Sequence, residues 1–267
     1  MPPLRHTPPT RPPVICPICS GRCFALDVVD FNKSCEELRG KFLELSGIAI
    51  YYFTCRECQF TFAPEFENWK ESDFLEHIYN EQYTYIDPDY TDIRPRNNAE
   101  LLDRLFGIYK DSITHLDFGG GNHLLSKLLR QKQWTSTSFD PFAEDRQDLS
   151  SLGHFNLLSA FEVFEHSPNT STLMDNLCSL LTDDGIIIFS TLASDGNIAP
   201  RQRLSWWYAA PRNGHVSLFS RKSLFLLGAR HGFRFGSFSA NLHVFWRQLP
   251  FWAAHLVKGP VPPEQSR

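Results

Sequence analysis

The chain has 267 residues, 42% of them hydrophobic and 21% charged, a balance that permits a packed core and excludes a wholly disordered or fibrous protein. Lys+Arg 26 against Asp+Glu 30 gives a net charge of −4, so there is no general attraction to nucleic acid or to an anionic membrane. The longest apolar stretches, such as 48–53 and 186–189, fall far short of the ~18 residues a membrane helix needs.

Residues 1–13 carry six prolines and lack the apolar region of a secretory signal, so they read as an unfolded leader and the protein is expected in the cytoplasm. In that reducing compartment the seven cysteines are better explained by metal ligation or free thiols than by disulfides. Four of them form two C-x-x-C pairs, Cys16/Cys19 and Cys55/Cys58. Such knuckles complete a tetrahedral zinc site, with Zn–S near ~2.3 Å. Strand-like runs at 24–29 and 48–53 lie between the pairs, so zinc is expected to staple a small β-rich module. Unliganded thiols are the alternative, and Cys23 is a candidate substitute ligand. Residues 1–62 hold seven Lys/Arg and six Asp/Glu, which is no phosphate-binding surface.

The segment 64–93 is rich in Tyr, Asp and Glu, with a helix expected around Trp69, Phe74 and Ile78. A second amphipathic helix is expected over 98–109, carried by Leu101, Leu102, Leu105, Phe106 and Tyr109. Strands and helices then alternate: a strand at 113–118, a helix at 123–130 and a strand at Thr135–Phe139. A strand at 155–160, a helix at 170–181, a strand at 186–191 and a helix at 221–231 follow, the last with Ser220 as N-cap and Gly232 past its end. This order implies an α/β fold, a mostly parallel sheet covered by helices on both faces, with ligands at the carboxyl ends of the strands.

The first of these strands ends in Asp117, followed by Gly119, Gly120 and Gly121, a turn that lets backbone approach a ligand closely. An acid beside a pyrophosphate repels it. Beside S-adenosylmethionine, which carries an ammonium and a sulfonium, an acid is favourable. The second strand ends at Asp140, 19 residues after Gly121, where a carboxylate can accept both hydroxyl protons of a ribose.

With HLDFGGGN, FDPF, FNLLSAFEVFEH, DDGIIIFST and GHVSLFSRKSLFLLGARHGF in place, the chain resembles class I S-adenosylmethionine-dependent methyltransferases from about residue 111 to 243. The two-knuckle segment is similar to that of bacterial methyltransferases with an N-terminal zinc-binding module, including sugar C-methyltransferases. The resemblance implies a Rossmann-like, seven-stranded sheet whose last strand is antiparallel, within 233–246. It implies division into a leader (1–13), zinc module (14–62), helical connector (63–110), methyltransferase domain (111–255) and tail (256–267). It places Asp117, Gly119, Gly120, Gly121, Asp140 and Phe161 beside the cofactor. Two departures stand out. His123 replaces a frequent further glycine, and the segment between Asp140 and Phe155 is short with no clear acid for the adenine.

Methyl transfer requires mainly that the acceptor be aligned and its proton removed. Histidine suits the second task, and His215, in a glycine-preceded loop after Trp206, Trp207 and Tyr208, is ranked ahead of His166. The tryptophans are candidates for a wall over the acceptor. Glu162, Glu165 and His166 with a later His also resemble the magnesium site of RNA 2′-O-methyltransferases and quinone-pathway O-methyltransferases; magnesium is the second reading. The expected acceptor is a small or sugar-bearing molecule. A catalytically silent relative and an RNA methyltransferase are the rival functions.

Overall fold

The computed structural model describes residues 13–143 and 147–257; nearly all of the leader and of the tail lies outside the described residues. A small antiparallel sheet opens the fold. β1 (Cys23–Asp30) pairs with β2 (Ala49–Cys55), placing Cys23 opposite Cys55, and β2 pairs with β3 (Thr61–Phe62). Its fourth strand is β8 (Ser217–Leu218), which pairs with β3 across most of the chain.

Two short helices follow, α1 (Glu71–His77) and α2 (Tyr83–Ile86). The single helix expected there is interrupted because the Asn80 side chain takes over backbone partners: its Nδ2 donates to Glu76 O at 2.8 Å and its Oδ1 accepts from Gln82 N. The next helix, α3 (Ile93–Phe106), begins five residues earlier than its apolar pattern. Pro95 does not prevent this because first-turn N–H groups have no intrahelical partner to lose.

The main sheet contains β4 (Thr114–Phe118), β5 (Thr135–Phe139), β6 (Phe155–Phe161), β7 (Leu181–Ser190), β9 (Arg234–Ser237) and β10 (Leu242–Trp246), in the order β5-β4-β6-β7-β10-β9. The first four are parallel, and β10 runs antiparallel to both neighbours. Six strands form among the described residues, not the seven expected. The connection over 141–154 is too short for a crossover helix and a further parallel strand, and its described part holds only a 3-10 turn, Leu149–Ser151.

The period-2 pattern of the strands divides the core between two faces. Ile186 and Ile188 of β7, with Val244 and Trp246 of β10, pack with α3 and with α4 (Leu124–Gln131). Ile187, Phe189 and Phe245 pack on the other face with α5 (Thr170–Leu180) and α6 (Arg221–Arg230). Asn169 caps α5 by accepting from Thr172 N, and Ser220 caps α6 by accepting from Ser223 N. The knuckles share this second core, since Cys16, Ile18, Cys55, Cys58 and Phe60 are buried in it. Polar contacts fasten them to α6: Ser220 Oγ donates to Cys58 O at 2.6 Å, Lys222 Nζ to Glu57 O, and Arg230 Nη1 to Pro17 O at 2.7 Å.

His123 precedes α4 at φ 63°, ψ 12°. This left-handed conformation costs a β-carbon-bearing residue about 1 kcal/mol relative to glycine. His123→Gly is therefore expected to raise the thermal midpoint by about 2–4 °C, as read by calorimetry.

Candidate functional site

The connections of the main sheet reverse direction between β4 and β6, which opens a crevice at the strand ends. The loops after β4, β5 and β6 meet there around a cavity of about 630 Å³. Asp117, Gly119, Gly120, Gly121, Asp140 and Phe161 all line it. The residues singled out from the sequence for cofactor binding therefore stand together.

The turn after β4 tolerates no side chain at its centre. A β-carbon on Gly120 would lie 2.1 Å from Ser138 Oγ and 2.7 Å from Asp117 Oδ2. His123, which stands where a further glycine is frequent, is absent from the cavity lining, whereas Asn122 and Leu125 belong to it. Asp140 is fixed in place: its Oδ2 accepts from Gly121 N and its Oδ1 from Phe142 N, both at 2.8 Å. Each oxygen keeps a further lone pair for a ligand hydroxyl. Asp117 is buried, and its Oδ1 accepts from Ser159 Oγ at 2.8 Å. Burial first, and then the negative charge of Asp140, raise its pKa to about 7.

Sequence reading missed the roof. Tyr79, Tyr83, Tyr90, Arg94 and Phe142 line the cavity from the connecting segment and the β5 loop. The tyrosines interlock, with ring centroids 5.1 Å apart from Tyr79 to Tyr83 and from Tyr83 to Tyr90, and Tyr79 lies 4.7 Å from Phe142. Arg94 is the one Lys or Arg in the lining among the described residues. It pairs with Asp87 and, at 3.1 Å, with Glu162. The tyrosine-rich composition of 79–90 was the available signal, but it carries no information on which strand ends the segment crosses.

The two histidines stand in series. His166 lines the cavity and its Nδ1 is 3.1 Å from Tyr79 OH. His215 stands behind it, ring to ring at 4.9 Å, and does not line the cavity. Its loop is buried, since only 4% of the residue is exposed. His215 Nδ1 lies 2.8 Å from Tyr208 O, and because a carbonyl only accepts, Nδ1 carries the proton and Nε2 the lone pair. Burial lowers the His215 pKa to about 3. Burial, followed by electrostatic repulsion of a second proton near His215 and Arg94, also pushes His166 well below its ordinary value, so both rings are neutral at pH 7. Gly214, at φ +86°, makes this edge-to-face packing feasible, because a β-carbon there would lie 2.9 Å from His166 Nδ1. Trp206 and Trp207 form no wall over the cavity; they pack with the small sheet in a separate core.

Glu165 is fully buried beside these rings and accepts from Tyr208 OH. Its Oε2 has no hydrogen-bond partner among the described residues, and burial followed by the Glu162 charge raises its pKa to about 8. Ligand atoms of Glu165, His166 and His215 lie within 4.8 Å of one another. Glu162 is engaged elsewhere, by Arg94 and Ser190.

Away from the cavity, the thiols of Cys16, Cys19, Cys55 and Cys58 also converge within 4.8 Å. The Cys16–Cys58 and Cys19–Cys55 sulfurs are 3.5 and 3.4 Å apart. Tetrahedral Zn–S bonds of ~2.3 Å separate sulfurs by about 3.8 Å, so the four fit a zinc ion with little movement. Cys23 lies outside this set.

A protein-family model described as a methyltransferase domain matches residues 90–235. No curated protein matches the sequence. Among solved structures, the chain is similar to the 1,6-didemethyltoxoflavin N1-methyltransferase of Burkholderia thailandensis. Identity is 16%, coverage 73% of this chain and 98% of that one, and the TM-score 0.47. An O-methyltransferase family protein from the same organism gives 15%, 70% of each chain and 0.42. The magnesium protoporphyrin IX methyltransferase of Synechocystis gives 15%, 68% and 95%, and 0.39.

Proposed function

The chain belongs to the methyltransferase-domain family and is a methyltransferase; from that premise we propose that it moves the methyl group of S-adenosylmethionine to a small organic acceptor, a sugar-bearing metabolite among the candidates, with His166 as the base. One observation carries this reading: a single cavity is lined by Asp117, the three-glycine turn, Asp140, Phe161 and His166 together. Its volume is in the range of small-molecule sites.

When bound, S-adenosylmethionine supplies an electrophilic methyl group together with its own leaving group. Asp117 would meet the ammonium, the Gly119–Gly121 backbone would admit the methionine chain, and Asp140 would accept from the ribose hydroxyls. The Tyr79, Tyr83 and Phe142 rings close over the site and exclude water. His166, neutral at pH 7, accepts the acceptor's proton while Tyr79 OH and His215 hold its ring in position. The four-cysteine cluster is proposed to hold one structural zinc ion within the 14–62 module, and its reduced thiols suit the cytoplasm.

The second reading is a divalent cation held by Glu165, His166 and His215, favoured by the unpartnered Glu165 Oε2. Magnesium there would bind acceptor oxygens directly.

The cofactor half is tested by calorimetry with S-adenosylmethionine and the Asp140→Ala variant. Removing charge-assisted hydrogen bonds to the ribose is expected to weaken binding by ~1.5–3 kcal/mol, about 10- to 150-fold in affinity. Unchanged affinity in the folded variant overturns the assignment.

A further inference from the structure

His115 occupies a central parallel strand where an aliphatic residue is usual. It is fully buried, and both ring nitrogens have partners: Nδ1 lies 2.8 Å from Ser136 Oγ and Nε2 lies 2.9 Å from Ser159 Oγ. Two residues on, and so on the same face of β4, Asp117 Oδ1 lies 2.8 Å from the same Ser159 Oγ. At the far end, Ser136 Oγ lies 3.0 Å from Ser126 Oγ, which lies 2.7 Å from Thr137 O.

Proton counting fixes the direction of this chain. Thr137 O only accepts, so the single Ser126 proton goes to it. Ser136 must then give its proton to Ser126 and accept from His115 Nδ1, which carries a proton in every state. The last link, Ser159, has one proton for two neighbours. If it donates to an ionised Asp117, His115 Nε2 must carry a second proton, making an imidazolium. If it donates to a neutral His115, Asp117 must be protonated and donate to Ser159. The five-membered chain is complete in two states, and each holds one proton on the Asp117–His115 pair.

We infer that Asp117 and His115 share one proton through Ser159, and that a cationic ligand group at Asp117 drives that proton onto His115. The step balances: the Asp117 O–H bond breaks as the proton passes to Ser159 Oγ, and the Ser159 O–H bond breaks as its proton passes to Nε2. Carboxylate and imidazolium replace carboxylic acid and imidazole. His115 is thus a positioning residue that lets Asp117 ionise without expelling a proton past the bound ligand. The inference rests on the reading that Asp117 meets the cofactor ammonium.

Burial favours the neutral state before binding, since it raises Asp117 to about 7 and lowers His115 to about 3. The charged groups packed around the chain are Asp140 at the tip of β5, Arg130 of α4, which donates to Ser136 O at 2.9 Å, and Asp103 of α3, which accepts from Trp134 Nε1 at 3.0 Å. A ligand ammonium at Asp117 tips the balance toward the ionised state.

The test is calorimetric titration of the full chain with S-adenosylhomocysteine at pH 6, in buffers of different ionisation enthalpy, alongside nitrogen NMR of the His115 ring. Wild type is expected to bind with a net proton exchange near zero and an affinity level between pH 6 and 7. Its ring should change from a single Nδ1–H tautomer to a doubly protonated ring on saturation. Ser159→Ala and His115→Leu are expected to release close to one proton on binding, with affinity falling about tenfold per pH unit below 7. Wild type that releases one proton, or a ring that stays singly protonated in the complex, overturns the relay while leaving cofactor binding intact. Variants that bind more weakly with unchanged proton exchange also overturn it, because that is what a structural role alone produces. Wild type that does not bind at all removes both readings.

Discussion

Removing the proposed zinc ion, by chelation or by Cys58→Ser, should lower the thermal midpoint by about 10 °C or more and expose the 14–62 segment to proteases first. The four thiols lie within 4.8 Å of one another and three are buried. Without a cation, they cannot all be thiolates at that spacing. Cys16, Cys55 and Cys58 also sit in the core formed with α5 and α6, so releasing the knuckles opens apolar surface in the larger body as well. A loss of about 3–5 kcal/mol corresponds to a fall of about 10 °C for a chain of this size. Metal analysis of protein purified without added zinc should find one ion per chain. A metal-free chain that keeps this segment folded and protease-resistant would contradict the assignment.

Turnover in His166→Ala should drop by about 100-fold or more, the usual consequence of losing a general base, with affinity for S-adenosylhomocysteine unchanged. His215→Ala should lower turnover less, because in the proposed mechanism His215 acts only through the His166 ring that it backs at 4.9 Å. The pH profile adds a readout. A base serves in its neutral form, present above its pKa, and His166 is held well below its ordinary value. Wild-type turnover should therefore stay level as pH falls from 8 to 6, where an exposed histidine would already be losing activity. The measurement is transfer of labelled methyl to an acceptor found by mass spectrometry as a gain of one methyl group. Full activity in His166→Ala would move the proton to another acceptor. Activity that vanishes with a chelator and returns with magnesium would favour the cation reading at Glu165, His166 and His215.

The sequence was legible wherever structure is written locally. β5 forms over the expected residues, α6 starts at the expected Ser220 cap and stops before Gly232 at φ +78°, because period and caps are properties of neighbouring residues. The six cofactor candidates fell into one cavity for a related reason: in this topology, residues just past consecutive strands share an edge of the sheet. Whatever depends on distant pairing was harder to read. The placement of Tyr79, Tyr83 and Arg94 over that edge follows from how the connecting segment packs. The order of His166 and His215 depends on how the glycine-preceded loop of His215 packs, and that loop proves buried. The strand count turned on a single connection length, already visible as short but not yet read as a missing strand.

The pairing of Thr61 with Leu218 and of Phe62 with Ser217 has a consequence for the making of the protein. All four knuckle cysteines leave the ribosome before residue 60, whereas the strand that covers β3 is synthesised about 150 residues later. At roughly 5–20 residues per second, the nascent sheet waits on the order of 10–30 s with β3 uncovered, and an uncovered strand is a template for pairing with other chains. Early metal capture would hold the knuckles together through this interval. Zinc supply during translation, more than zinc added to the finished chain, should therefore set the yield of correctly assembled protein.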